Sequence, residues 1–184
     1  MAIRHLYAAV LLCSSCVSLA QTSHSGHDSL ELSIRTERTT YRENESMELQ
    51  LQITNYGPNN PYIWRTDLCW ECTTGLKVHI VTADGREIVS GTNTDLPTPP
   101  PRPGHVEDFI RIESETFYGT ITKIKVSNLF PKPGNYSFFL TYDSALPTEF
   151  ASRFPKDDPA TKIPVRTEGD PTLVSNRLQV TIEP

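Results

Sequence analysis

Apolar and polar residues alternate along most of this chain in short runs with a period of two. That period marks a half-buried strand. Leu30, Leu32 and Ile34 alternate with Glu31, Ser33 and Arg35. Met47, Leu49, Leu51 and Ile53 alternate with Glu48, Gln50, Gln52 and Thr54, the cleanest amphipathic strand of the sequence. Leu76, Val78 and Ile80 form a third run, and Leu178, Val180 and Ile182 the last. Tyr62 to Trp64, Val106 to Ile112 and Thr116 to Val126 read as further strands. The densest aromatic run follows a Pro131–Gly134 turn, where Tyr136, Phe138, Leu140 and Tyr142 share one face. Asp84-Gly85 carries the signal of a tight hairpin turn, with Glu87 to Val89 returning from it. Eight or nine short strands with no repeated helix between them exclude a parallel βαβ sheet. The pattern predicts an all-β chain: an antiparallel sandwich of two sheets, each hiding one face against the other.

The segments outside these runs set the boundaries. Residues 1–20 read as a signal peptide: Arg4, an apolar run from Leu6 to Cys13, and small residues Ser18 and Ala20 placed for cleavage after Ala20. The apolar run is too short to span a bilayer, and no second one follows, so no transmembrane segment is expected. Residues 21–29 read as a flexible polar tail, and 30–184 as one domain. Asn55 to Pro61 is a loop by its Asn, Gly and Pro content. Five prolines between Pro97 and Pro103 predict an extended surface connection. Residues 143–174 form the longest irregular segment. Within it Thr148 is placed to cap a short helical turn, with Phe150 and Phe154 on one face and Pro155 ending it.

Composition narrows the function class. The chain has 184 residues, a globular share of apolar side chains and a formal net charge of −5. Lysine and arginine are not clustered, so nucleic acid is not an expected partner. Removing residues 1–20 takes away one arginine and no acid, leaving the mature chain more acidic still. The destination is the periplasm or the exterior. Cys13 and Cys16 leave with the signal peptide, and Cys69 and Cys72 remain as a pair in an oxidising compartment.

Three stretches carry a resemblance. Tyr41 to Asn55 looks like the early strands of bacterial secreted immunoglobulin-like domains, Pro133-Gly134-Asn135-Tyr136 like their penultimate-strand turn, and Ser175 to Ile182 like their closing strand. Similar layouts occur in fibronectin-III-like modules and in the proteinase-inhibitor-like β-sandwich family. The resemblance implies an Ig-like sandwich over most of 30–184. It carries no catalytic residues, and the antibody-type disulfide is absent from the two strands that would hold it.

Candidate chemistry is sparse. Cys69-Trp70-Glu71-Cys72 fits either a short structural disulfide across a loop or a redox pair. Glu71 opposes the low thiol pKa that redox chemistry needs. His79 and Asp67 are the nearest further ligands for a metal, but structural zinc ordinarily takes a second close-spaced pair, and His79 falls on the polar side of its strand, where solvation is expected. His24 and His27 sit in the polar tail, where His24 would be the third residue of a Cu(II)- or Ni(II)-binding terminus only if cleavage fell after Gln21. Glu43, Glu45, Asp157 and Asp158 read as solvated turn charges. No nucleophile elbow, catalytic constellation, cofactor motif or metal site is expected, and the chain reads as a non-enzyme. The best functional surface is the 143–174 segment, where Phe150, Phe154, Ile163 and Val165 are apolar in a loop longer than a sandwich needs. They either cap the open end of the sandwich or, with the proline segment, meet a protein or polysaccharide partner. The expected function is an exported binding or structural module. A sandwich-type proteinase inhibitor and a thiol-redox or metal-binding protein using Cys69 and Cys72 are the alternatives.

Overall fold

The computed structural model describes residues 29–70, 75–91 and 100–184. Eleven strands lie within them: β1 (Leu30–Thr36), β2 (Thr40–Arg42), β3 (Ser46–Asn55), β4 (Tyr62–Trp64), β5 (Leu76–Thr82), β6 (Glu87–Gly91), β7 (Phe109–Arg111), β8 (Phe117–Lys125), β9 (Gly134–Tyr142), β10 (Leu173–Val174) and β11 (Leu178–Glu183). One α-helical turn, α1 (Val126–Leu129), and four 3-10 turns complete the described elements.

The strands form three sheets rather than the expected two. One has the order β1-β3-β8, a second runs β2-β11-β9-β5-β6 with β10 also on β9, and the third is the pair β4-β7. All pairings are antiparallel except β2 with β11, which is parallel. The long alternations become strands because one face of each has somewhere to go. In β3 the apolar positions Met47, Leu49, Leu51 and Ile53 are all buried, while the polar set stays partly wet. The same holds for Leu30, Leu32 and Ile34 in β1. These side chains and those of β5, β9 and β11 make one shared apolar core, so the two larger sheets face each other as a β-sandwich. Asn176 adds a polar link between them. Its amide accepts from the Ile34 N–H at 2.8 Å and donates to the Ile34 carbonyl at 3.1 Å, pairing both backbone groups of one β1 residue.

Several expectations change in the structure. The strand expected over Val106 to Ile112 shortens to β7 behind a 3-10 turn, Val106–Asp108. The run to Val126 stops at Lys125, where α1 begins. A 3-10 turn over Arg65–Leu68 leads from β4 into Cys69. Phe139 falls on the outer face of β9 and is buried all the same, because the His79 ring stacks on it at 4.5 Å and the Arg177 guanidinium lies 4.2 Å above it. Of the proline segment, residues 92–99 lie outside the described residues, and Pro101 is buried. The hairpin at Gly85 is as expected, with φ +81°, which glycine adopts without strain.

Asn55 closes the loop that follows β3. Its fully buried amide donates to the carbonyls of Asn59 at 2.6 Å and Ile112 at 3.0 Å, and accepts from the Gly57 N–H at 2.9 Å. A Cβ on Gly57 would sit 1.9 Å from the Ser29 hydroxyl, so this close turn requires glycine.

Candidate functional site

The 143–174 segment is built on β4 and β7. Tyr62 N–H donates to Pro164 O at 2.9 Å, Arg166 N–H donates to Tyr62 O at 2.8 Å, and Tyr62 and Val165 form a parallel bridge. The segment therefore extends the small sheet by one bridged position. Under it lies a second apolar cluster, separate from the main core: Trp64, Phe109, Leu146, Phe150 and Ala160, with Phe154, Ile163 and Val165 packed at its margin. Phe150 stands between Phe109 at 6.0 Å and Phe154 at 5.9 Å, the latter edge-on at 89°.

The structure thus brings Phe150, Phe154 and Ile163 together. Their exposures differ: Phe150 retains 8% of its surface, whereas Phe154 and Ile163 are half-buried. The helical turn expected around Phe150 is a 3-10 turn, Phe150–Arg153, preceded by Glu149 with no side-chain cap from Thr148. Ser152 N–H bonds Glu149 O and Phe154 N–H bonds Ala151 O, the three-residue spacing of 3-10 geometry. Pro155 cannot extend the turn, so Phe150 and Phe154 meet around its end.

Two aspartates fasten this segment, and neither is a solvated charge. Asp158 caps the 3-10 turn Pro159–Lys162, accepting from Ala160 N–H at 2.8 Å, and its second oxygen accepts from Gly104 N–H at 2.6 Å. It is buried, which corrects the turn-charge reading. Asp158→Ala is expected to cost about 1–2 kcal/mol, the loss of a cap plus one long-range bond, read from chemical denaturation. Glu45, by contrast, stays near the surface, where it accepts from Arg42 N–H and pairs with Arg38.

Asp67 is the deeper anchor. It belongs to the 3-10 turn before Cys69 and is fully buried. Tyr142 O–H donates to it at 3.1 Å, Ser144 O–H at 2.9 Å and Ala145 N–H at 3.3 Å. Burial, and then the Asp67 carboxylate, push the Tyr142 phenol well above its ordinary value. Arg166, also buried, lies 5.9 Å from the Tyr142 ring and donates to Pro171 O. The start of the 143–174 segment is therefore tied to the residues next to the cysteine loop. Asp67, considered above as a metal ligand, is instead a hydrogen-bond hub.

The neighbouring loop has its own clasp. Arg102 donates to Asp108 through Nη2 at 2.8 Å and Nε at 3.2 Å. Those bonds lower the Asp108 pKa below its ordinary value. A folded pKa held below the unfolded one stabilises above the unfolded value of about 3.9 and is lost as pH falls through the folded one. Thermal melts from about pH 5 to pH 2 should show a small acid-side loss that Asp108→Asn abolishes, small because the Arg102 end is exposed.

Cys69 and Trp70, with Arg65, Tyr118 and Thr120, line an open cleft of about 310 Å³ between β8 and the Arg65–Leu68 turn. Cys72 lies outside the described residues, as do His24 and His27. His79 is not freely solvated: its ring sits between Glu87 at 2.6 Å and Thr141 at 3.0 Å. It does lie on the polar side of β5 as expected, but the adjacent strands supply partners that one strand's periodicity does not reveal. No helix among the described residues is long and apolar enough to cross a membrane.

No family model matches the chain, and no curated protein does. Among solved structures, the CARDB domain of a Pyrococcus furiosus protein, solved in complex with di-metal ions, is similar over 84% of this chain and 87% of that one, at 11% identity and TM-score 0.37. Spo0M, a sporulation control protein from Bacillus subtilis, gives 7% identity and TM-score 0.40 over 86% of this chain and 51% of that one. A Listeria innocua β-glucosidase in complex with isofagomine gives 10% identity and TM-score 0.39, with 83% of this chain spanning 16% of the enzyme. Likeness of that degree assigns the chain to no family.

Proposed function

We propose that the protein is an exported, Ig-like, non-enzymatic binding module whose contact surface is the 143–174 segment. The observation that supports this reading is the second apolar cluster. A segment that only joined two strands would not need one, and an unstructured linker would not hold aromatic residues in place. Phe154 and Ile163 are the half-buried members through which a protein or polysaccharide would be met, with Phe150 as the anchor beneath them. The test is retention of the purified mature domain on immobilised extracellular proteins and polysaccharides. Phe154→Ala with Ile163→Ser should lower retention at least tenfold, while the circular dichroism spectrum stays unchanged. Retention that survives both substitutions, on every ligand that captures the unaltered domain, would sink the reading.

Export and a Cys69–Cys72 bridge belong to the same proposal. The N-terminal charge, apolar run and small residues support export. For the bridge, the support is that Cys69 is not a free thiol. A bridge of that span would fix only the loop itself. Intact-mass measurement of the exported protein should give a chain starting at Gln21, two hydrogens lighter than the dithiol and inert to alkylation. Alkylation at both cysteines would remove the bridge from the account.

A further inference from the structure

The strand β8 is the outer strand of its sheet, paired on one side with β3 and on the other, among the described residues, with nothing. The bonds flanking it settle which of its backbone groups face outward. Val126 N–H bonds Glu45 O and Asn55 N–H bonds Thr116 O, and both pairs continue the β3–β8 register. In an antiparallel ladder, inward-bonded residues alternate with outward-facing ones. The even positions from 116 to 126 therefore bond β3. Phe117, Gly119, Ile121, Lys123 and Lys125 turn their N–H and C=O groups outward. Their side chains share the outer face of the sheet, where Phe117 and Ile121 are 65% and 63% exposed. A strand this long whose outer edge is unpaired among the described residues, and which opens at Ile121 onto the cleft it shares with Arg65, Cys69 and Trp70, is a template for a further strand.

We propose that the occupant is a second copy of this chain, its β8 paired antiparallel with the first about a two-fold axis at Ile121. This register is chosen by the residues themselves. It sets Ile121 opposite its own symmetry mate, Lys123 opposite Gly119, and Lys125 opposite Phe117. All five outward residues then exchange backbone bonds with an outward residue of the other copy. No lysine faces a lysine, the ammonium of Lys125 lies against an aromatic ring, and Glu115, exposed just before the strand, comes within its reach. Moving the axis to Lys123 opposes like charges. Moving it to Gly119 sets Lys123 and Lys125 opposite Glu115 and Glu113, which lie outside the strand, so only three of the five outward residues keep a partner within β8. Lysines on an edge ordinarily discourage pairing, but here both fall in the last three residues, and the two-fold register places each against an uncharged position. The surface is distinct from the 143–174 segment, so the inference stands or falls independently of the binding proposal.

Sedimentation equilibrium of the mature exported protein tests it. The expected result is a monomer–dimer equilibrium that Ile121→Glu weakens at least tenfold, because two carboxylates then face each other across the axis. The exposure of Ile121 keeps that variant folded, which circular dichroism checks. Mild oxidation of Ile121→Cys should give a covalent dimer, since directly opposed bonded residues have Cα atoms about 5.5 Å apart. Gln50→Cys, opposite Ile121 on β3 and one strand further from the axis, should not. A monomer at every concentration up to about 1 mM, which leaves any self-affinity weaker than about 1 mM, would overturn the proposal. So would a dimer indifferent to Ile121→Glu, cross-linking at Gln50→Cys as fast as at Ile121→Cys, or a monomer whose β8 takes up an unrelated extended peptide instead.

Discussion

Asp67→Ala is expected to destabilise the domain by about 3–5 kcal/mol, the largest loss expected from any single polar substitution in the chain. The carboxylate accepts from Tyr142, Ser144 and the Ala145 backbone in a site with no solvent access. Alanine leaves the Tyr142 O–H and the Ala145 N–H without the acceptor they were folded around, while Ser144 O–H can turn to Arg166 O at 2.9 Å, and a buried orphaned donor costs more than the bond contributed. Tyr142→Phe should cost only about 1 kcal/mol, since it removes one donor and keeps the ring in the core. The pair Tyr142→Phe and Ser144→Ala should be non-additive in a double-mutant cycle, because both hydroxyls share one oxygen. Urea denaturation monitored by tryptophan fluorescence gives all of these values. If Asp67→Ala moved the midpoint no more than Tyr142→Phe does, the hub description would be wrong.

The same site has an alkaline signature. Tyr142 has its folded pKa raised above the unfolded value, so its neutral phenol stabilises below that unfolded value of about 10. The contribution is lost as pH rises toward the folded pKa. The slope of stability against pH above about 10 should therefore flatten in Tyr142→Phe.

What was readable from the sequence follows from how local each feature's cause is. β1, β3, β5 and β11 announce themselves because each has one buried face, and burial on one face leaves a period of two. β2 does not. It has one apolar residue, Tyr41, and becomes a strand by parallel pairing with β11, some 140 residues on. β10 is two residues long and exists only because Tyr142 and Thr141 lie beside it. The third sheet has the same origin, since neither β4 nor β7 states its partner. Asp158 was half readable. An aspartate directly before a proline is a helix-start signal, with the cap on one side and the preset φ on the other. Its bond to Gly104 spans 54 residues and leaves no trace in either neighbourhood. Asp67 and Tyr142 are 75 residues apart, and only the fold makes them partners. The outer edge of β8, unpaired among the described residues, is different again. Phe117 and Ile121 are visible as alternate apolar residues, but that the strand ends a sheet is a property of topology alone.

The second large effect concerns Phe150. Phe150→Ala is expected to cost about 3–4 kcal/mol, the range for emptying a buried aromatic site. The loss should be confined in space. Phe150 contacts Phe109 and Phe154 within the second cluster, while the main core is filled by other residues. Hydrogen exchange should accordingly rise at the amides of Ser152, Phe154 and Arg166 and stay slow in β3 and β9. This separates two roles that sequence spacing alone merges. Phe150 and Phe154 look equivalent four positions apart, yet one is a structural support and the other lies partly in water. A partner that binds the segment should tolerate a conservative change at Phe150, such as Phe150→Leu, and respond to Phe154→Ala. If Phe150→Ala instead accelerated exchange uniformly across β3 and β9, the segment and the sandwich would be one cooperative unit. The contact surface would then have to be sought on the sandwich rather than on the segment.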